Sequence, residues 1–227
     1  MEQIKVELQE FMGSDRGIAN SAWTSSYDYQ KKQERSEEDV AKVVNMLADS
    51  KHSVPFESVI FKFWIKLPIA IDRQLMTHRI ASHSGMSGRY RTMPSEYFSI
   101  PDDIADILGK CIEGSFVADY RRLCEESNKE YQNFVKRIRE AEKLNRITNP
   151  EFKRLREFFR GMLPQHNMTE RVTLMNLRSW ANFYKLRSKK DAQPEIQHIA
   201  KLMREQIESK NICPIAFSAL ERNNWSI

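Results

Sequence analysis

Apolar and polar residues alternate along 4–13, IKVELQEFMG, and this period of two predicts a half-exposed strand. In 57–67, ESVIFKFWIKL, Val59, Phe61, Phe63, Ile65 and Leu67 fall on one face. Ser58, Lys62 and Lys66 fall on the other, so this segment predicts a strand with a single core face. The period changes in 36–52, where Val40, Val43, Val44 and Leu47 recur at helical spacing. Acids fill the first turn and Ser36 stands at the cap. Pro68 suits a helix start, and 68–81 continues with helical character. Residues 102–147 are rich in Glu, Lys and Arg with spaced apolar positions, the mark of one or two amphipathic helices. A further helix is expected over 150–164, bounded by Pro150 and by Gly161 and Pro164, and another over 169–187. After the break at SKKD, 192–210 predicts the last long helix, with Asp191 as its cap. Strands early and helices late predict an α+β fold, with antiparallel strands. No repeat, low-complexity tract or linker interrupts the chain, so a single domain over 1–227 is expected.

Composition narrows this only slightly. With 227 residues, 41% hydrophobic and 30% charged, the chain can bury a proper core and reads as globular. The net charge of +5 fits an anionic small molecule, a nucleic acid or plain solubility. Cys111, Cys124 and Cys213 are scattered and form no CxxC pair, which argues against a disulfide framework or a zinc site and for a reducing compartment. The N-terminus is charged and alternating, unlike a signal peptide, and no apolar run approaches the ~20 residues of a membrane helix. The expectation is a cytoplasmic protein with no membrane partner and no metal.

The candidate chemistry begins in 77–91, THRIASHSGMSGRYR. Gly85 and Gly88 allow close approach of a ligand, Ser82, Ser84 and Ser87 offer hydroxyls, and Arg89 offers a forked cation. Such groups bind phosphate, and the same composition also fits an ordinary Gly/Ser turn. On the preceding helix, Gln74 and His78 lie four apart and share a face, and Leu75 and Arg79 share the next. Arg160 ends its helix at Gly161. Arg178 and Asn182 share a face further on, with Arg187 beyond them. Asn176 and Asn182, beside Trp180 and Phe183, suggest partly buried amides that need partners. His52 stands between a helix end and a strand. GxGxxG, GxxxxGK[ST] and HExxH are all absent, so any dinucleotide is held without a Rossmann fold.

These segments carry a resemblance. HRIASHSGMSGRY (78–90) resembles the RHRxxSxxxxSxRY signature of the flavin-dependent thymidylate synthases. KHSVPFESVIFKFWIKLPI resembles that family's HxxPFEH strand entry, RGMLP its RxxLP segment, and NLRSWANFYKLRSKKDAQPEIQ its NxRSxxNFxxLR…AQ-E-I block. Order and spacing agree over most of 15–220. Only 102–147 is hard to place, as a helical and family-variable insertion.

The resemblance implies a homotetramer with FAD at subunit interfaces. It implies transfer of a one-carbon unit from methylenetetrahydrofolate to C5 of dUMP, with reduction by flavin hydride supplied by NADPH. Gln74, Ser87, Gly88, Arg89, Arg160 and Arg187 match positions that hold dUMP, with Ser87 as a positioning group and Arg187 as the cation that stabilises charge on the uracil ring. His78, Arg79, Asn176, Arg178 and Asn182 match positions that hold FAD. Val54 matches a flavin-contact position usually Ser or Thr, and His52 falls near the folate and flavin mouth. Thr77 replaces the first Arg of RHR, Gly85 a frequent Glu, and Asp191 a His near the last helix, while Lys189 and Lys190 could restore positive charge. Two alternatives stand beside this reading. One is a related flavin and folate hydroxymethylase. The other is a non-catalytic member that binds nucleotide or nucleic acid, although the separated Arg160 and Arg187 suit a small enclosed anion better than a nucleic acid.

Overall fold

Strand β1 (Lys5–Met12) pairs antiparallel with β2 (Ile60–Pro68), Lys5 opposite Lys66 and Leu8 opposite Phe63, with a bulge between Leu8 and Glu10. The computed structural model describes residues 1–111 and 115–226. Between the two strands come α1 (Asp15–Trp23), the short α2 (Tyr29–Gln33), α3 (Glu37–Asp49) and a 3₁₀ turn over Val54–Ser58. After β2 follow α4 (Ile69–Leu75), β3 (Ser82–Gly85), α5 (Asp102–Cys111), α6 (Phe116–Lys143), α7 (Asn149–Phe159), β4 (Met168–Asn176), α8 (Leu177–Arg187), α9 (Pro194–Ser209) and α10 (Pro214–Arg222). The sheet order is β1-β2-β4-β3. The fold is α+β, as the periodicity predicts.

The chain divides into two compact units. One contains 2–66, 73–84 and 171–227, and so most of the sheet with α1–α3 and α8–α10. Its core is the face read from the sequence: Val59, Phe61, Phe63 and Ile65 are fully buried, and Phe61 meets Trp180 edge-on at 6.3 Å. Ser36 caps α3 through a capping box with Asp39. Edge strand β1 is covered by α9: Gln206 accepts from the Leu8 N–H, and Lys210 donates to the Leu8 carbonyl. Gly13 has φ +103°, and a Cβ there would stand 2.8 Å from the Ser58 carbonyl oxygen, so no other residue fits.

Asp15, 8% exposed, accepts from the N–H groups of Ile215 and Ala216 at the start of α10. Burial raises its pKa by more than those donors lower it. Asp15→Ala leaves two helix N–H groups without this acceptor, and a loss of about 2 kcal/mol is expected in urea unfolding. An unchanged unfolding midpoint would show that the cap contributes nothing.

The other unit contains 67–72 and 85–170, with α5–α7. Residues 102–147 are helical here, as expected, in α5 and α6; 112–114 and the side chain of Cys111 lie outside the described residues. Cys124 and Cys213 are free and buried. Tyr131 of α6 is fully buried and its hydroxyl accepts from the Met93 N–H, while Gln132 donates to the Met93 carbonyl. Asn128 and Asn167 exchange side-chain amide hydrogen bonds of 3.0 and 2.7 Å. The segment that was hard to place therefore anchors the chain that follows the Gly/Ser loop.

Three expectations need correction. The helix over 68–81 ends at Leu75, because Thr77 turns its hydroxyl and its N–H onto the Gln74 carbonyl and closes the turn; Gln74 and His78 share no helical face, and part of the Gly/Ser loop is strand β3. The helix over 169–187 is a strand and then a helix. Its strand half departs from the usual pattern, with Arg171, Thr173 and Met175 buried and Leu174 exposed, so the segment lacks a clean alternation of apolar in and polar out. The cap of α9 is Gln193 before Pro194, not Asp191.

Candidate functional site

Asn176 ends β4 and caps α8, its side chain accepting from the Ser179 N–H at 2.8 Å. This accounts for one of the two asparagines: its amide is used locally. From that cap, Arg178, Asn182, Lys185 and Leu186 follow at helical spacing on one face of α8. With Thr77, His78, Arg79 and Ile80 from the turn after α4, they line a cleft of about 500 Å³, closed on another side by Trp225 and Ser226. Met175, Ser179 and Arg187 complete the lining. The opposite face of α8 is core: Trp180 and Phe183 are fully buried, and Tyr184 stacks on Trp180 at 5.2 Å.

The electrostatics follow from these positions. Arg79, Arg178, Lys185 and Arg187 supply four cations, and among the described lining residues there is no Asp or Glu. Glu57, on the 3₁₀ turn, reaches Arg178 at 2.6 Å and offsets one of the four. Arg187 Nε donates to His78 Nε2 at 3.0 Å, and its Nη2 makes a long approach of 3.5 Å to the Thr77 hydroxyl. The His78 ring also meets Phe183 edge-on at 4.9 Å. Burial first, and then the neighbouring Arg187 charge, lowers the His78 pKa to about 4. His78 is thus neutral at pH 7 and accepts the hydrogen bond that holds the guanidinium.

A second cluster forms within the α5–α7 unit. Gly88 lies where a Cβ would come within 3.0 Å of Arg160 Cδ and 3.3 Å of Met93 Cγ, so the loop passes Arg160 with room only for glycine or a small shift. The Ser87 hydroxyl accepts from the Arg89 N–H at 3.3 Å. Helix α7 grips Arg89 at two points: Glu157 accepts from Arg89 Nε at 2.9 Å, and the buried Arg156 donates to the Arg89 carbonyl.

Of the residues expected from the sequence, His78, Arg79, Arg178, Asn182 and Arg187 therefore meet at one cleft, and Ser87, Gly88, Arg89 and Arg160 form one cluster. Others stand apart from the cleft lining. Gln74 donates to Gln193, and His52 and Val54 are exposed around the 3₁₀ turn that carries Glu57. Sequence reasoning missed Lys185, Ser179, Trp225 and Ser226. Helical spacing from Arg178 could have found Lys185, but nothing local ties 225–226 to α8.

A cleft with cationic forks, an amide and hydroxyls, and no carboxylate among the described lining residues, suits a ligand bearing phosphate together with a planar or apolar part. The family model described as "Thymidylate synthase complementing protein" matches residues 7–215. A flavin-dependent thymidylate synthase of Kosmotoga olearia is 36% identical over 220 residues, covering 94% of this chain and 88% of the relative. One of Pseudothermotoga lettingae is 30% identical over 220 residues, covering 97% and 91%. In fold, the chain is similar to the UMP/dUMP methylase PolB of Streptomyces cacaoi bound with 5-Br UMP, with a TM-score of 0.72, 22% identity and coverage of 98% and 95%.

Proposed function

The chain belongs to the thymidylate synthase complementing protein family, and from that premise we propose that it is a flavin-dependent thymidylate synthase that methylates dUMP at C5. One observation supports this most: His78, Arg79, Arg178, Asn182 and Arg187, from two distant segments, line a single cationic cleft.

In this reading methylenetetrahydrofolate gives its methylene carbon to C5 of dUMP, and NADPH gives the two electrons that make it a methyl group. The products are dTMP, tetrahydrofolate and NADP⁺. The donor set of the cleft fits FAD: Arg79, Arg178 and Asn182, with His78, would hold it there, and Asn176 is assigned to it from the cap of α8. When bound, the flavin supplies hydride transfer, chemistry that no side chain here can perform.

The chain's own residues do the rest. Arg89 and Arg160 bind the phosphate dianion of the nucleotide, with Ser87 and Gly88 giving close backbone approach and a hydroxyl. Gln74 is assigned to the nucleotide, Val54 to a backbone contact with the flavin, and His52 to the mouth where folate and flavin enter. As C5 becomes nucleophilic, negative charge gathers toward O4 and N3 of the uracil. Arg187, held by neutral His78, stabilises that charge where it develops. We propose a homotetramer as the working assembly.

The test is direct. Purified protein given FAD, NADPH, methylenetetrahydrofolate and dUMP should yield dTMP, heavier than dUMP by one CH₂ in mass spectrometry. A product heavier by CH₂O, or no product, would overturn the proposal.

A further inference from the structure

Lys185 stands outside every role assigned above, yet it lines the cleft beside Arg178 and Asn182. It is half-buried, and its Nζ is hydrogen-bonded to the Ser226 hydroxyl. Among the described residues it forms no ion pair. Two of the other three cations are engaged within the protein: Arg178 with Glu57, and Arg187 with His78. An ammonium has three N–H donors, so one hydroxyl leaves two for a ligand.

Ser226 is itself held firmly. Trp225 is 6% exposed and packs edge-on against Trp180 at 5.3 Å, Tyr184 at 4.8 Å and Phe217 at 5.7 Å. The Arg204 guanidinium lies 5.2 Å from its ring. Asn224 and Trp225 both have positive φ, 49° and 55°, and this turns the chain back toward α8. The aromatic anchor thus fixes Ser226, and Ser226 fixes the end of a flexible lysine whose rotamer freedom would otherwise oppose binding.

We propose that Lys185, positioned by Ser226, is a phosphate-binding residue of the cleft and contacts the diphosphate of FAD. The inference rests on the flavin reading of the cleft and adds to it a binding residue and a wall built from 225–226.

The test is FAD affinity of the full chain, by quenching of flavin fluorescence, at several salt concentrations. Lys185→Met keeps the apolar stem and removes the charge. It should weaken FAD binding by about tenfold or more, with a shallower dependence on salt. Lys185→Arg keeps the charge and should bind FAD more tightly than Lys185→Met. Ser226→Ala should weaken FAD by less than Lys185→Met. Equal affinity of Lys185→Met and the wild type overturns the proposal, as does equal weakening by Met and Arg, which would mark a packing role. Loss of dUMP affinity with FAD binding intact overturns it too, by moving the contact to the nucleotide. A wild-type chain that binds no FAD overturns the flavin reading itself, a result distinct from all of these.

Discussion

Arg187→Ala is expected to cripple thymidylate formation, lowering kcat by about 10²–10³-fold, while FAD still binds and the assembly stays intact. Arg187 ends α8, and its Nε donates to His78 Nε2 at 3.0 Å. A guanidinium fixed in this way needs no reorganisation when charge appears on the uracil ring, so its loss falls on kcat more than on KM. The same variant has a spectroscopic mark. The Arg187 charge is the second cause, after burial, of the depressed His78 pKa of about 4. In selectively labelled protein, the His78 imidazole should therefore titrate at higher pH in Arg187→Ala than in the wild type.

The sign of the accompanying stability change follows from linkage. The unfolded chain takes up the His78 proton near pH 6.5, whereas the folded chain resists it down to about 4. Stability therefore falls as pH drops through that window and is restored as pH rises. Full turnover by Arg187→Ala would remove Arg187 from the chemistry.

Arg89→Ala should weaken dUMP binding by about 10- to 100-fold, the usual worth of a charge-assisted contact to phosphate. The residue is 61% exposed, so its ion pair with Glu157 adds little to stability. The pair instead directs the guanidinium, since Glu157 takes Nε and the forked end remains available to an anion. Arg156 fixes the backbone of the same residue. Glu157→Gln should accordingly weaken dUMP less than Arg89→Ala does. Isothermal titration with dUMP decides the matter, and unaltered affinity in Arg89→Ala would refute the assignment.

Much of the fold is legible in the sequence. The alternation in 4–13 and 57–67 marks β1 and the core face of β2, because those faces are apolar inward and polar outward. Ser36 at the cap, with acids in the first turn, announces α3 because such a cap satisfies helix N–H groups locally. The strand β4 was hidden because Arg171 and Thr173 are buried while Leu174 faces outward. The end of α4 was hidden because one threonine hydroxyl closes it. At the site, the residues of 78–79 and 176–187 were legible as motifs. Lys185 and Ser226 were not, since their meeting depends on how Trp225 packs into a tertiary aromatic cluster.

A crystal structure of the protein grown with FAD decides whether the cationic cleft on α8 holds a flavin dinucleotide. Diphosphate density is expected within hydrogen-bonding reach of Arg79, Arg178 or Lys185, and ring density beside His78 and Asn182. Density for FAD elsewhere on the protein, with the cleft filled only by solvent, would contradict that placement.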